Sequence, residues 1–345
     1  MKLEVPFTTL IKITFFLLLC VIVVKVWPVI MMIIVAALIA VMVDPVVEWL
    51  ARHRVRRGFG IAIAGVVMFG LLAAFLLVVV PITVNQMKDL GKQLPRLVEE
   101  VSRRVPAVQP YVAPLAQMAK QPPNGAQMQQ WLMHGLIAGR FALTAIAALT
   151  LTLVIAIYLL IEGRRAQEWL IVFAHGSHRE KLRRTMTDVQ PIVFAYMRGQ
   201  AITCALCGGM ALTTLTLLHI PAAVPLAVLA FIADLVPIVG TVVMIAPAVL
   251  LALVVSPLKA FIVLAVYLAY HLTESYYIIP RVFGKEMRLS NLTVLLAVTI
   301  AGMLQGAIGA VLILPFVAAY PVVEEIWLQR QLGDTVEKHE QIEQR

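Results

Sequence analysis

The run from Leu226 to Leu253 is almost continuously apolar, but Asp234, Pro237 and Gly240 interrupt its centre. An apolar run of this length favours insertion into a lipid bilayer, where every backbone N–H and C=O group needs a partner within the protein. Proline and glycine disfavour a continuous helix, and a carboxylate is costly at that depth. The run therefore predicts a broken or re-entrant helical segment whose centre faces protein or a water-filled cavity.

The composition of the whole chain agrees with a membrane protein. Of its 345 residues, 61% are hydrophobic and 14% are charged, whereas soluble domains average about 45–50% and about 25%. The apolar residues form about eight long segments, which predicts an all-α polytopic membrane protein. Basic residues collected in cytoplasmic loops account for the net charge of +9, and no basic stretch carries interleaved aromatics, so we expect no nucleic-acid partner.

Basic loops predict the orientation of the N-terminal half. Two apolar runs, Leu10–Val26 and Val29–Leu50, are separated by Lys25–Pro28, which we interpret as a tight turn. The loop Arg52–Arg57 follows, with several arginines and no acidic residue. Such loops remain in the cytoplasm, so we expect the N-terminus to be cytoplasmic as well.

Changes in composition along the chain predict six regions. They are N-terminal transmembrane helices at 1–84, an external amphipathic helical region at 85–135, a transmembrane helix at 136–161, a cytoplasmic charged helix at 162–190, a core of spans and hairpins at 191–323 that we expect to carry transport, and a cytoplasmic tail at 324–345.

Two segments of the C-terminal half are too long for one span and short for two. They are Pro221–Val255 and Asn291–Val323, and the second is interrupted by Gly302–Gly309. If both segments cross the membrane, the basic loop Arg281–Arg288 lies outside, against the usual charge bias; if both are re-entrant hairpins, it is cytoplasmic. The hairpin arrangement gives span plus hairpin twice in opposite orientation, an inverted repeat of the kind found in transporters.

The polar interruptions supply the candidate site residues. Asp234 lies three residues before Pro237, where a helix must open and expose carbonyl groups to a cation or a polar ligand. Its alternative role is to cap the second half-helix. Glu274 shares a helix face with Tyr270 and His271, and an aromatic belt near the membrane surface is the alternative there.

The break in the second long segment gives three more candidates. Gln305 lies between Gly302 and Gly306, and in the hairpin arrangement it reaches the membrane centre from inside as Asp234 does from outside. Close helix packing through the two glycines is the alternative.

Cys204 and Cys207 have metal-site spacing, but without a second pair we interpret them as packing residues.

These motifs also carry a family resemblance. One motif is Val236–Gly240 followed by Pro247, and the other comprises Glu274, Pro280, Gly284, Lys285, Gly302, Gly306, Gly309 and Pro315. From about Leu10 to Trp327 the chain resembles the autoinducer-2 exporter family, also called the PerM-like permeases. It departs from the family pattern at Ser275, often Asn, and at Ser290-Asn291, often His-Pro. The resemblance implies a multi-pass transporter of the bacterial inner membrane that forms homo-oligomers.

Together these features predict a secondary transporter that exports a small polar molecule, for example a signalling molecule such as autoinducer-2, with energy from an ion gradient. A sodium/proton-type antiporter is one alternative, and a membrane scaffold without transport is another. The chain has no GxxxxGK[ST] loop and no HExxH motif, so we expect neither an enzyme nor a cofactor. Its expected partners are the lipid bilayer, a small molecule or ion, and further copies of itself.

Overall fold

The computed structural model describes residues 7–104, 125–237, 239–283 and 291–328, and every regular element within these ranges is helical. The first helices are α1 (Phe7–Arg52), α2 (Arg57–Ala74), a π-helical turn (Phe75–Val79), α3 (Val80–Arg104) and α4 (Gly125–Val172). The remaining ones are α5 (Ser177–Leu217), α6 (Ala223–Ala233), α7 (Val239–Val255), α8 (Pro257–Thr273), a second π-helical turn (Glu274–Ile278), α9 (Ile279–Phe283) and α10 (Asn291–Trp327).

Six stretches of the described chain are long and apolar enough to cross a membrane. They are Ile11–Arg52, Arg57–Gln93, Gly139–Val172, His178–Leu217, Pro257–Phe283 and Leu292–Trp327. Helices α6 and α7 are apolar but shorter. The all-α polytopic fold expected from the sequence is therefore confirmed.

The tight turn expected at Lys25–Pro28 is wrong. Helix α1 continues through Pro28 and Pro45 for 46 residues, about 69 Å at 1.5 Å per residue, against a hydrocarbon thickness of about 30 Å. A proline removes one backbone donor, but membrane helices tolerate it where the freed groups are satisfied locally. Without that turn, the position of the basic loop Arg52–Arg57 no longer predicts that the N-terminus lies on the same side of the membrane as this loop.

The chain divides into two compact units. The first comprises Met1–Val66 and Gly139–Gln167, and its core contains Val47, Ile61 and Leu160. Arg57 connects the helices of this unit, since its guanidinium donates to Asp44 Oδ1 at 3.0 Å and to the Leu160 carbonyl at 3.4 Å. A second pair, Arg164 and Glu48 at 2.8 Å, joins α4 to α1.

The second unit comprises Val67–Ala138 and Glu168–Arg345 and contains the first predicted hairpin, formed by α6 and α7. The Cys207 sulfur of α5 lies 3.8 Å from the Ala230 carbonyl oxygen and 3.4 Å from the Met244 sulfur. In a continuous helix those two residues would lie about 21 Å apart. A Cβ at Gly240 would collide with the Ala233 carbonyl oxygen, so only glycine permits the return at this point. Helices α6 and α7 therefore fold back on each other.

Helix α10 contains the second hairpin. Gly306 has φ 63° and ψ −152°, a conformation open essentially to glycine alone. A Cβ at Gly302 would lie 3.8 Å from the Ala310 Cβ, although eight residues of straight helix span about 12 Å. The chain thus doubles back at Gly306, and the expected broken segment is confirmed. The inverted orientation of the two hairpins stays a prediction.

Several expectations fall partly outside the described residues. Helix α3 and the start of α4 belong to the predicted external region, but residues 105–124 between them are not described. The same holds for residues 284–290 of the basic loop and for residues 329–345 of the predicted tail.

Candidate functional site

Asp234 lies at the break between α6 and α7, where the first hairpin turns. Its carboxyl group faces Thr203, Cys204 and Cys207 of α5 and the carboxyl group of Glu274. The Oδ2 atom is buried and has no hydrogen-bond partner among the described residues. An unpaired carboxylate oxygen is costly in an apolar interior, so this atom marks a position where a ligand would be stabilised.

Glu274 is buried, with 6% of its surface exposed. It opens the π-helical turn that follows α8, and such single turns often occur at functional sites. The His271 Nδ1 atom lies 3.5 Å from Glu274 Oε2 but has no hydrogen-bond partner there. Within the described ranges, neither Asp234 nor Glu274 has a lysine or arginine within ion-pair distance.

Two tyrosines of α8 lie at the cluster: Tyr270 beside both carboxyl groups, and Tyr267 near Cys207. The Tyr270 hydroxyl donates to the Thr203 carbonyl at 3.3 Å, while the buried Tyr267 hydroxyl has no partner among the described residues. The alternative of an aromatic belt fits Tyr276 and Tyr277, which are exposed. The set Thr203, Cys204, Cys207, Asp234, Tyr270 and Glu274 is called the carboxyl cluster below.

Gln200 was not among the candidates from the sequence, although it holds the hairpin break in place. Its Nε2 atom donates to the Asp234 carbonyl at 2.9 Å and contacts the Cys204 sulfur at 3.4 Å. The Tyr196 hydroxyl donates to Gln200 Oε1 at 3.2 Å. A signal was present, because Tyr196, Gln200 and Cys204 recur every four residues and so share one face of α5.

The other candidates lie around an apolar cavity of about 480 Å³ between the two hairpin breaks, called the hairpin cavity below. Pro237 lines it from the first hairpin, and Gly302 and Gly306 line it from the second. Gly240 packs against Ala233 instead. The remaining lining residues are Val236, Val239, Val294, Leu295, Val298, Thr299, Met303, Ala307 and Ala310.

The structure therefore divides the candidates into two groups. Asp234, Tyr270, His271 and Glu274 come together around the carboxyl cluster, while Pro237, Gly302 and Gly306 meet at the hairpin cavity. Gln305 joins neither group, since it is exposed and does not line the cavity.

The chemistry of the carboxyl cluster suits the binding of a cation or a proton. Carboxyl oxygens accept hydrogen bonds and can carry a proton, and two carboxyl groups face each other here. Across the part of the chain that is described, no group of three or more His, Cys, Asp or Glu side chains is arranged to hold a metal ion.

Known proteins resemble this chain over most of its length. The sequence model of a family described as "AI-2E family transporter" matches residues 11–329. Three relatives are described as "Putative transport protein". YueF of Bacillus subtilis (strain 168) is 25% identical and the match covers 85% of this chain and 82% of YueF. MT0215 of Mycobacterium tuberculosis (strain CDC 1551 / Oshkosh) is 24% identical, with coverage of 83% and 79%. YhhT of Escherichia coli (strain K12) is 24% identical, with coverage of 88% and 85%.

Proposed function

Since this chain belongs to the AI-2E family of membrane transporters, we propose that it is a secondary transporter that exports a small polar molecule across the bacterial inner membrane with energy from an ion gradient. The observation that supports this function is the buried pair of carboxyl groups, Asp234 and Glu274, at the turn of the first hairpin. Intramembrane acids of this kind usually belong to substrate or ion pathways.

The depth of the pair fits such a pathway. Helix α6 has 11 residues before Asp234, which places the carboxylate about 16 Å from the start of that helix at 1.5 Å per residue. Half of a hydrocarbon core of about 30 Å is a similar distance. Transporters with broken helices bind their ligands at this level.

In the proposed mechanism the coupling ion and the substrate share the carboxyl cluster. A cation bound by Asp234 and Glu274 offsets the cost of burying two charges, and its release to the other side of the membrane restores that cost. The two hairpin tips are the moving elements, since both border the hairpin cavity and the first also carries Asp234 of the cluster. The C-terminal tail faces the cytoplasm, and the transporter is a homo-oligomer.

A cation/proton antiporter is the second candidate. The observation that favours it is the position of His271, whose Nδ1 atom lies 3.5 Å from Glu274 without a hydrogen bond. An imidazole ring can take up a proton on its second nitrogen, and a proton on this ring would change the charge beside the carboxyl pair. In the antiporter the cation itself is the substrate, and no small organic molecule is exported.

The two functions separate in proteoliposomes that contain the purified full-length protein. The first assay measures efflux of small polar molecules, with autoinducer-2 as one test compound, under imposed pH and sodium gradients. The second measures sodium-dependent proton flux without any organic solute. Gradient-driven efflux supports the exporter, and proton flux in exchange for sodium without organic solute supports the antiporter.

The site is tested in the same proteoliposomes with Asp234→Asn and Glu274→Gln. Each change removes a charged acceptor worth roughly 1.5–3 kcal/mol in a hydrogen bond, so we expect the gradient-driven flux to fall at least about tenfold. The matched control is Glu168→Gln, an exposed carboxylate on α4, which should keep the flux of the unmodified protein. Full flux in both cluster variants would contradict the assignment of the site.

A further inference from the structure

The hairpin cavity offers nothing to a wholly polar molecule. Among the described residues, its walls are aliphatic side chains, backbone of Gly302 and Gly306, and a single hydroxyl, that of Thr299. This hydroxyl already donates to the Leu295 carbonyl of its own helix at 2.7 Å. A polar group placed here would lose its water without gaining a partner, at a cost of roughly 1–3 kcal/mol. The cavity is therefore built for an apolar group.

The size and position of the cavity fit part of a small ligand. A volume of about 480 Å³ lies within the range of roughly 300–1,000 Å³ found for small-molecule sites. One wall comes from the break of the first hairpin and the other from the break of the second, so both elements proposed to move contact whatever fills the space. A ligand in this cavity would thus be sensed by both hairpins at once.

The carboxyl cluster and the hairpin cavity adjoin each other along the chain at the first hairpin break. Val236 lines the cavity and follows Asp234 by two residues, a separation of at most about 7 Å along the chain. The buried Asp234 Oδ2 atom lacks a hydrogen-bond partner, and no described lysine or arginine neutralises the cluster. A positive charge on the ligand would supply what the described protein groups do not.

We propose that the transported molecule is an organic cation with an apolar body, whose charge is held by Asp234 and Glu274 and whose body fills the hairpin cavity. This inference rests on the proposed function and specifies its substrate: the polar part is a cation, and it is attached to an apolar group. A lipid acyl chain in the cavity is the competing occupant, and it would leave the carboxyl cluster unused.

The test uses four probes that separate charge from apolar surface. Benzyltrimethylammonium has both features, tetramethylammonium has the charge alone, phenylacetate has the aromatic body with the opposite charge, and benzyl alcohol has the body without charge. Uptake of the two radiolabelled cations into proteoliposomes gives KM values for the unmodified protein. We expect a KM at least about tenfold lower for benzyltrimethylammonium, equivalent to about 1.4 kcal/mol of apolar burial, and no competition from the other two probes.

Ala307→Phe isolates the contribution of the cavity. Ala307 lines the cavity and is exposed, so a phenyl ring fills the space without entering a packed core. This variant should raise the KM of benzyltrimethylammonium about tenfold and leave that of tetramethylammonium unchanged. The control Ile308→Phe introduces the same side chain one residue away, at an exposed position that does not line the cavity, and should preserve both KM values.

Two results would overturn the inference. One is that the unmodified protein transports both cations with the same KM, or transports neither. The other is an unchanged KM in Ala307→Phe together with the loss of a co-purified lipid in native mass spectrometry, which would assign the cavity to an acyl chain.

The proposed function fails separately from this inference. If Asp234→Asn and Glu274→Gln leave every ion-coupled flux intact, the carboxyl site itself is wrong. If they abolish ion-coupled flux while neither cation is transported, only the substrate class is wrong.

Discussion

At the scale of single residues, the candidate site combines a fixed backbone with an unpaired side-chain atom at Asp234. Asp234 accepts no hydrogen bond at Oδ2 from the described residues, but its backbone carbonyl is held by Gln200. The side chain is thus left available while the main chain is fixed. Gln200 is a positioning residue, since its contacts are to the backbone of the break and to Tyr196 and Cys204.

Gln200→Leu should destabilise the protein and leave a buried carbonyl at the break without its partner. Hydrogen bonds between membrane helices average about 0.6 kcal/mol, whereas an unsatisfied buried acceptor costs roughly 1–3 kcal/mol. We expect the free energy of unfolding in mixed detergent–SDS micelles to fall by about 1 kcal/mol, between these two values. Gln167→Leu, at an exposed position of α4, is the control, and an equal effect of both changes would argue against a positioning role.

The residues predictable from sequence were those that are unusual for their surroundings. Asp234 and Glu274 stand out because a carboxylate inside an apolar segment has a high energetic cost. Cys204 and Cys207 were interpreted as packing residues, because small thiols are common in packed helices. Their contact with Asp234 depends on how α5 is rotated against the hairpin, and such long-range packing leaves no local pattern in the sequence.

At the scale of elements, both hairpins return at glycines, but for different physical reasons. Gly306 turns the chain through a backbone conformation closed to other residues, whereas Gly240 makes room for a neighbouring carbonyl. Segment length and loop charge were sufficient to predict that both segments break. The π-helical turn at Glu274 was not predicted, because an inserted residue within a helix changes neither hydrophobicity nor length noticeably.

Gly240→Ala should disturb the first hairpin. The added Cβ meets the Ala233 backbone, which cannot rotate away, so we expect a loss of roughly 1–3 kcal/mol and a lower Tm in detergent. Gly209→Ala is the matched control on α5, since no atom lies within 4 Å of its added Cβ. There alanine should be neutral or stabilising by up to about 1 kcal/mol. Equal Tm values for the two variants would contradict the close approach at the hairpin turn.

At the scale of the whole molecule, the chain leaves its first compact unit after Val66 and returns to it at Gly139. Within that unit, Arg57 reaches the Leu160 carbonyl from a distant part of the sequence. Periodicity and composition describe neighbouring residues, so they identified the spans but not this partition. The turn wrongly expected at Lys25–Pro28 has the same origin, because a lysine, a tryptophan and a proline read locally as the end of a span.

The topology is tested by cysteine labelling in a Cys20→Ser background, where the remaining cysteines Cys204 and Cys207 are buried. With the hairpins re-entrant, Arg54→Cys and Lys285→Cys both lie in the cytoplasm. An impermeant maleimide should therefore label them only after the cells are permeabilised.

Lys92→Cys, on the exposed surface of α3, should react in intact cells and serves as the positive control. Labelling of Lys285→Cys in intact cells, alongside protected Arg54→Cys, would mean that the first long segment crosses the membrane and is not a hairpin.

The π-helical turn at Glu274–Ile278 contains one residue more than an α-helical turn would. Removing a residue there would restore an ordinary helix and rotate everything beyond it by about 100°. Phe283 lies beyond the turn with its ring centroid 5.6 Å from that of Tyr196 and the two rings tilted by 45°, in a space that Gly199 leaves open. With Glu274 fixed at one end and Phe283 at the other, a shortened chain could keep only one of the two in place. The number of residues between Glu274 and Phe283 is therefore fixed by the two contacts. A single-residue deletion between them should destabilise the protein far more than most substitutions there.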